Sequence, residues 1–362
     1  MAAVTSTHAL FQSVQVGEIA CSNRIFMAPM TRSRADVDDC PTDLHVEYYS
    51  QRASAGLIFT EGVQPSIHGK GYARTPGLHD EKQVAAWRRV TDAVHARGGR
   101  IVAQLMHVGR ISSHHNKSPG ARTVAPCAIK ANIEMFTDAA GMQPCDTPEA
   151  LSAAGISAVI NEYAESAAMA KSAGFDGVEL HCTSGYLPMQ FMAHNTNLRT
   201  DGYGGSAAGR VRFVVEVLEA LAARIGAGRV GLRICPANPF NDVLDFEPIE
   251  THTVLLEAIR SLQCGWVHVI ASPDKSIDAF ALARRHHDGA VIINDGFEPT
   301  SAAAAIESKI GDAVSFGRHY IANPDLVERI ASGFELARFD RKTLYSPGAT
   351  GYVDYPAHNR AP

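Results

Sequence analysis

Eight short aliphatic or β-branched runs recur along the chain, with polar loops and amphipathic helical patterns between them. They are Arg24–Ala28, Gly56–Thr60, Arg100–Leu105, Gly177–His181, Arg229–Ile234, Gly265–Ile270, Ala290–Asn294 and Asp312–Phe316. Their apolar residues are continuous rather than alternating, as in parallel strands covered by helices. Between them, Ile156, Val159, Ile160 and Tyr163 recur at helical spacing, as do Val211, Val214, Val215, Leu218 and Leu221. Eight strand–helix units in 362 residues predict an α/β fold, a (β/α)8 barrel of the TIM type. A doubly wound sheet is the competing arrangement, but no G-x-G-x-x-G turn follows an early strand.

No linker or composition shift divides the chain, so residues 1–362 are read as a single domain. Its core runs from about 10 to 335, with a long loop insertion after the third strand at about 110–147 and a C-terminal tail at 336–362. Residues before Asn23 are expected to cap the bottom of the barrel. A loop as long as the insertion is usually a lid or part of a binding site.

Composition excludes several classes of function. The formal charge of −5 and the lack of a basic stripe argue against nucleic acid as a partner. No stretch reaches the roughly 18 apolar residues of a membrane span, and the N-terminus lacks the pattern of a signal peptide. Seven scattered cysteines with no close C-x-x-C pair read as reduced thiols in a cytoplasmic protein. The expected partner is a small-molecule substrate, on a monomer or homodimer.

Active sites of such barrels lie at the C-terminal ends of the strands. The residues found there are Pro29, Met30, Thr31 and Arg32 after the first run, and Glu61 and Gly62 after the second. Gln104, Met106 and His107 belong to the third, and His181 through Tyr186 to the fourth. Arg233 lies on the fifth, Asp295 and Gly296 follow the seventh, and Gly317 and Arg318 follow the eighth. A metal centre needs several converging His, Asp or Glu side chains, and this set offers amides, hydroxyls, glycines and arginines instead, so no metal is expected. No G-x-S-x-G elbow is present. The set suits a flat, phosphorylated cofactor. Gly296 and Gly317 let backbone N–H groups approach a phosphate, and Arg318 supplies a charged fork. Gln104 both donates and accepts, matching the edge of a pyrimidine dione. Arg233 is suited to stabilise negative charge on a reduced ring.

The segments NRIFMAPMTRSRA (from Asn23), AQLMHVGR (from Ala103), GVELHCTSGYL (from Gly177), NTNLRTDGYGGS (from Asn195) and SFGRHYIANPDL (from Ser315) together resemble the Old Yellow Enzyme family. The resemblance extends from about Leu10 to Pro356. It implies FMN, held by Pro29, Met30, Thr31, Gly62, Gln104, Arg233, Gly296, Gly317 and Arg318, with NADPH or NADH as reductant. It further implies that Tyr186 donates a proton and that His181 and Ser184 bind the carbonyl or nitro oxygen of an activated alkene. Met106 and Tyr352 would then line the substrate site. Arg32, Arg199 and Asp201 are left as structural, His114 and His115 as solvated, and Cys182 as unreactive.

Two positions depart from the family pattern. The oxygen-binding pair is normally His with His or Asn, whereas the second member here is Ser184, whose hydroxyl reaches less far. A lost oxyanion donor costs ~3–4 kcal/mol of transition-state stabilisation. Met106 stands where many relatives carry Trp, which predicts a roomier pocket. Three functions follow in order: an NAD(P)H-dependent ene-reductase, a flavin reductase acting mainly on nitro compounds, nitrate esters or quinones, and a flavin-binding protein with little turnover.

Overall fold

The computed structural model describes residues 7–358, so the outermost ends of the expected domain, residues 1–6 and 359–362, lie outside the described residues. Eight strands form a closed, entirely parallel barrel: β1 (Ile25–Met27), β2 (Ile58–Val63), β3 (Ile101–Leu105), β4 (Gly177–His181), β5 (Val230–Ile234), β6 (Trp266–Ile270), β7 (Ala290–Asn294) and β8 (Ala313–Phe316). The closing pair is β8 with β1, Val314 opposite Ile25. Each strand lies within one of the eight apolar runs except β2, which continues past Thr60 to Val63. Glu61 and Gly62 are therefore inside the strand rather than after it. A register shift between Phe59 and Gly62 accommodates them.

The strands are buried on both faces, which accounts for their unbroken apolar character. The helix Ala153–Ser172 buries Ile156, Val159 and Tyr163, and the helix Ala207–Ile225 buries Val211, Val214, Leu218 and Leu221. Ile160 and Val215, at the edges of those stripes, are half-buried. Ser152 and Ser206 cap the two helices by accepting from the N–H groups of Gly155 and Gly209.

The bottom of the barrel is closed by an antiparallel hairpin, Val14–Val16 with Ile19–Cys21. Val16, Ile19 and Cys21 pack with Phe26, Phe59, Val102, Trp266 and Ile292 into the lower barrel interior. Gly17 at its turn has φ 55, and a Cβ there would overlap the Gly228 carbonyl at the start of β5.

The insertion is not wholly loop. Glu134–Thr137 and Gly141–Pro144 form an antiparallel hairpin, and Val124–Ala125 pairs in parallel with Glu149–Ala150. The hairpin buries Met135 and Thr137 while exposing Phe136 and Met142. The tail is fixed by two buried arginines. Arg32 donates to the carbonyls of Leu344 and Gly351, and Arg34 to those of Thr343, Leu344 and Thr350. The segment thus has little regular structure, yet its backbone acceptors are satisfied. All seven cysteines are free. Among the described residues no helix is long and apolar enough to cross a membrane.

Candidate active site

Two cavities adjoin at the C-terminal ends of the strands and share Thr31, Arg341 and Tyr345 in their walls. The larger, about 1320 Å³, is lined by Pro29, Met30, Thr31, Arg233, Gly296, Gly317 and Arg318, seven of the nine residues expected to hold FMN. Its composition fits the cofactor. Gly296 has φ 77 and faces open space where a side chain would stand, so its backbone is free to meet a phosphate. Gly317 is the N-cap of a short helix, Arg318–Ala322. Arg318 is well exposed and paired with Asp295 at 3.1 Å.

The remaining two, Gln104 and Gly62, sit opposite each other on β3 and β2, and both are buried. Gln104 reaches Arg233 through a buried relay. Its Nε2 donates to Glu179, Glu179 bonds His268, and His268 accepts from Arg233. Gly62 is packed beneath the Met106 side chain, which would collide with any Cβ there.

The second cavity, about 730 Å³, is lined by Tyr72, Ile111, Met135, Phe136, Tyr186, Phe240 and Asn241 among others. Tyr186 is the N-cap residue of the short helix Leu187–Met192. Its hydroxyl donates to Tyr72 Oη at 3.1 Å, and Asn241 lines the same cavity beside them. Burial, reinforced by Tyr72, raises its pKa well above that of an ordinary phenol. The His181 ring lies 5.1 Å from that of Tyr186. Burial, followed by the Arg233 charge, pushes the His181 pKa down to about 3, so the imidazole is neutral. Its Nδ1 is buried with no hydrogen-bond partner among the described residues.

Ser184 occupies the left-handed region at φ 58, and its carbonyl accepts from Asn241 Nδ2 at 2.8 Å. A left-handed non-glycine residue is best tolerated as Asn or Asp, so serine is strained there. Met106 is buried in an apolar cluster with Ile111, Met135 and Tyr186, behind the lining of the cavity.

Tyr352 is placed differently from its expected position near the substrate. It is fully buried, stacked on Tyr48 at 4.1 Å and flanked by Arg32 and Arg34, and it lines neither cavity. The aromatic residue at the mouth is Tyr345, which is well exposed and borders both. Tyr72 and Asn241 come from loops after β2 and β5, and only their convergence on Tyr186 marks them. Among the described residues no group of three or more His, Cys, Asp or Glu side chains is disposed to hold a metal ion.

The model of the NADH:flavin oxidoreductase / NADH oxidase family matches residues 9–337. The chain belongs to this family. It is 40% identical to a probable flavin mononucleotide-dependent alkene reductase of Leishmania infantum, over 98% of this chain and 99% of that one. Among solved structures it matches morphinone reductase with a TM-score of 0.92 at 38% identity, covering 99% of this chain and 98% of that chain. It matches the old yellow enzyme homologue from Zymomonas mobilis with a TM-score of 0.93 at 35% identity, covering 96% and 99%. The protein is therefore an FMN-dependent oxidoreductase of the Old Yellow Enzyme group, drawing its reducing equivalents from a nicotinamide.

Proposed function

We propose that the larger cavity holds FMN through the nine residues named above. The smaller one would admit an alkene conjugated to a carbonyl or nitro group, and Tyr186 would protonate the carbon next to that group. The observation that carries this reading is Tyr186, a buried phenol lining a largely apolar cavity, with the neutral His181 ring, itself outside the cavity lining, 5.1 Å away. When held by these residues, FMN would supply the hydride chemistry that couples a nicotinamide to the β-carbon.

The chain's own residues do the rest. His181 polarises the activating oxygen through a hydrogen bond, aided by the Ser184 hydroxyl, and so stabilises charge that develops there. A neutral imidazole donates without introducing a full charge into the site. Tyr186 keeps its proton until a carbanion-like carbon demands it, because burial disfavours the phenolate. Tyr72 holds its hydroxyl in place. The apolar wall of Ile111, Met135 and Phe136 accommodates the carbon skeleton and excludes water.

The test is turnover of 2-cyclohexenone with NADPH in D2O, with the product examined by NMR. The expected product carries solvent deuterium on the α-carbon and cofactor-derived hydrogen on the β-carbon. Turnover of nitro compounds or quinones but no enone would replace the substrate class. Bound FMN without turnover of any of these would leave a flavin-binding protein.

A further inference from the structure

Below the larger cavity a fully buried carboxylate occupies the centre of a polar network to which the proposed chemistry gives no role. Glu179 projects from β4 in the barrel interior. Its Oε1 accepts from Gln104 Nε2 at 2.9 Å, and its Oε2 from Trp266 Nε1 at 3.0 Å and from the His268 Nδ1 position at 2.9 Å. His268 Nε2 lies 2.7 Å from Ser315 Oγ and 2.6 Å from Arg233 Nη1, which is also 3.0 Å from His268 Nδ1. Arg233 is held from another direction by Asn294 Oδ1 at 2.7 Å.

Burial alone would raise the Glu179 pKa, but His268, then Arg233 and the Trp266 N–H, outweigh it and hold the carboxyl below the usual range. Burial pushes His268 down to about 4, with the Arg233 charge adding to it. The network thus contains one anion, one cation and a neutral imidazole. An ionised carboxylate only accepts hydrogen bonds. Gln104 must therefore turn its amide nitrogen toward Glu179, leaving its carbonyl and second N–H for other partners. His268 must carry its proton on Nδ1, leaving Nε2 to accept from Arg233. Glu179 thereby dictates the donor directions of Gln104 and Arg233 together. Its charge also offsets that of Arg233 in an interior where charges are poorly screened.

We propose that Glu179 is a positioning residue that sets the reduction potential of the flavin, through the orientation of Gln104 and Arg233 and the partial cancellation of the Arg233 charge. This rests on the reading that FMN occupies the larger cavity. Reduction adds negative charge to the ring, so removing the buried anion favours the reduced form.

The experiment is a redox titration of the FMN-loaded wild type, Glu179→Gln and Glu179→Asp, with FMN affinity measured alongside. Glu179→Gln is expected to favour reduced over oxidised FMN at least tenfold more than the wild type, a positive shift of about 30 mV for the two-electron couple. Glu179→Asp, which keeps the charge, is expected to stay within twofold of the wild type. Equal potentials in wild type and Glu179→Gln would overturn the proposal, as would equal shifts in both variants. Should Glu179→Gln fail to fold, Glu179→Ala, which also removes the charge, carries the test: a positive shift of at least tenfold supports the assignment and an unmoved potential overturns it. A wild type that binds no FMN overturns the cofactor reading itself, a result distinct from FMN bound at an unshifted potential.

Discussion

Tyr186 and Tyr352 are nearly the same object in sequence. Each follows a glycine in the left-handed region, Gly185 at φ 73 and Gly351 at φ 68, and each is buried. Their surroundings differ. Tyr186 borders a cavity, and its hydroxyl is held by Tyr72. Tyr352 is sandwiched against Tyr48 under two arginines, and its hydroxyl has no hydrogen-bond partner among the described residues. On the proposed function one would present its proton to a substrate, and the other contributes its ring to packing. Burial is common to both; access to a cavity and the partners of the hydroxyl are what differ.

The sharpest way to break this comparison is to remove both hydroxyls. Tyr186→Phe is expected to slow the alkene half-reaction by about 10²–10⁴-fold, with the nicotinamide half-reaction nearly unchanged, as stopped-flow absorbance would show. Tyr352→Phe should change neither rate, since no hydrogen bond is lost. Comparable slowing in both would erase the distinction.

Truncating the structural ring should have the next largest effect, on stability rather than rate. Tyr352→Ala is expected to cost about 3–5 kcal/mol in urea unfolding, because it removes the platform shared by Tyr48, Arg32 and Arg34. A loss below about 1 kcal/mol would show that the arginines fix the tail without it.

Met106→Trp addresses the apolar wall beside Tyr186. The Met106 side chain fills the space above Gly62, so an indole there should overpack by about 1–3 kcal/mol and narrow the range of β-substituted enones accepted. Unchanged stability and unchanged discrimination would mean that the neighbouring side chains yield freely.

Ser184→Asn is a smaller change in the opposite direction. Asparagine tolerates the left-handed backbone better and extends a donor further, so stability should rise by up to ~1 kcal/mol and the enone step should quicken. A slower enone step would show that Ser184 is already matched to its substrate.

The smallest expected effect is that of pH. His181, with a pKa of about 3, and Tyr186, well above 10, change protonation at neither end of the neutral range. The alkene half-reaction should therefore be flat in pH across that range. The depressed His181 value also carries a sign for stability. The unfolded chain binds a proton there near pH 6.5 and the folded protein does so only near 3, so stability falls as pH drops through that window. A bell centred near neutrality in single-turnover rates would contradict the neutral imidazole.

The barrel is legible in the sequence because parallel strands buried on both faces must be apolar throughout, and seven of the eight runs contain their strands completely. The exception, β2, carries Glu61 inside a strand, where a charged residue reads as an end. Glu179 and His268 escape notice for another reason: they lie inside their runs, whereas the site is sought at the strand ends. The hairpin at 134–144 has strands of only four residues, too short for a clear alternation. Of the candidate site, the glycines, Arg233 and Arg318 are legible because phosphate and charge call for particular residue types. Tyr72, Asn241 and Tyr345 are not, since each gains its meaning from distant loops meeting in space. Tyr352 shows the converse: an aromatic residue in a tail segment can serve the core as readily as the mouth.

The most direct test of the whole account is an anaerobic titration of the purified protein, following the flavin band as NADPH and then 2-cyclohexenone are added. The account predicts a flavin band that bleaches with NADPH and returns with the enone. A protein that shows no band after reconstitution with FMN, or whose bleached band the enone leaves unchanged, would contradict it.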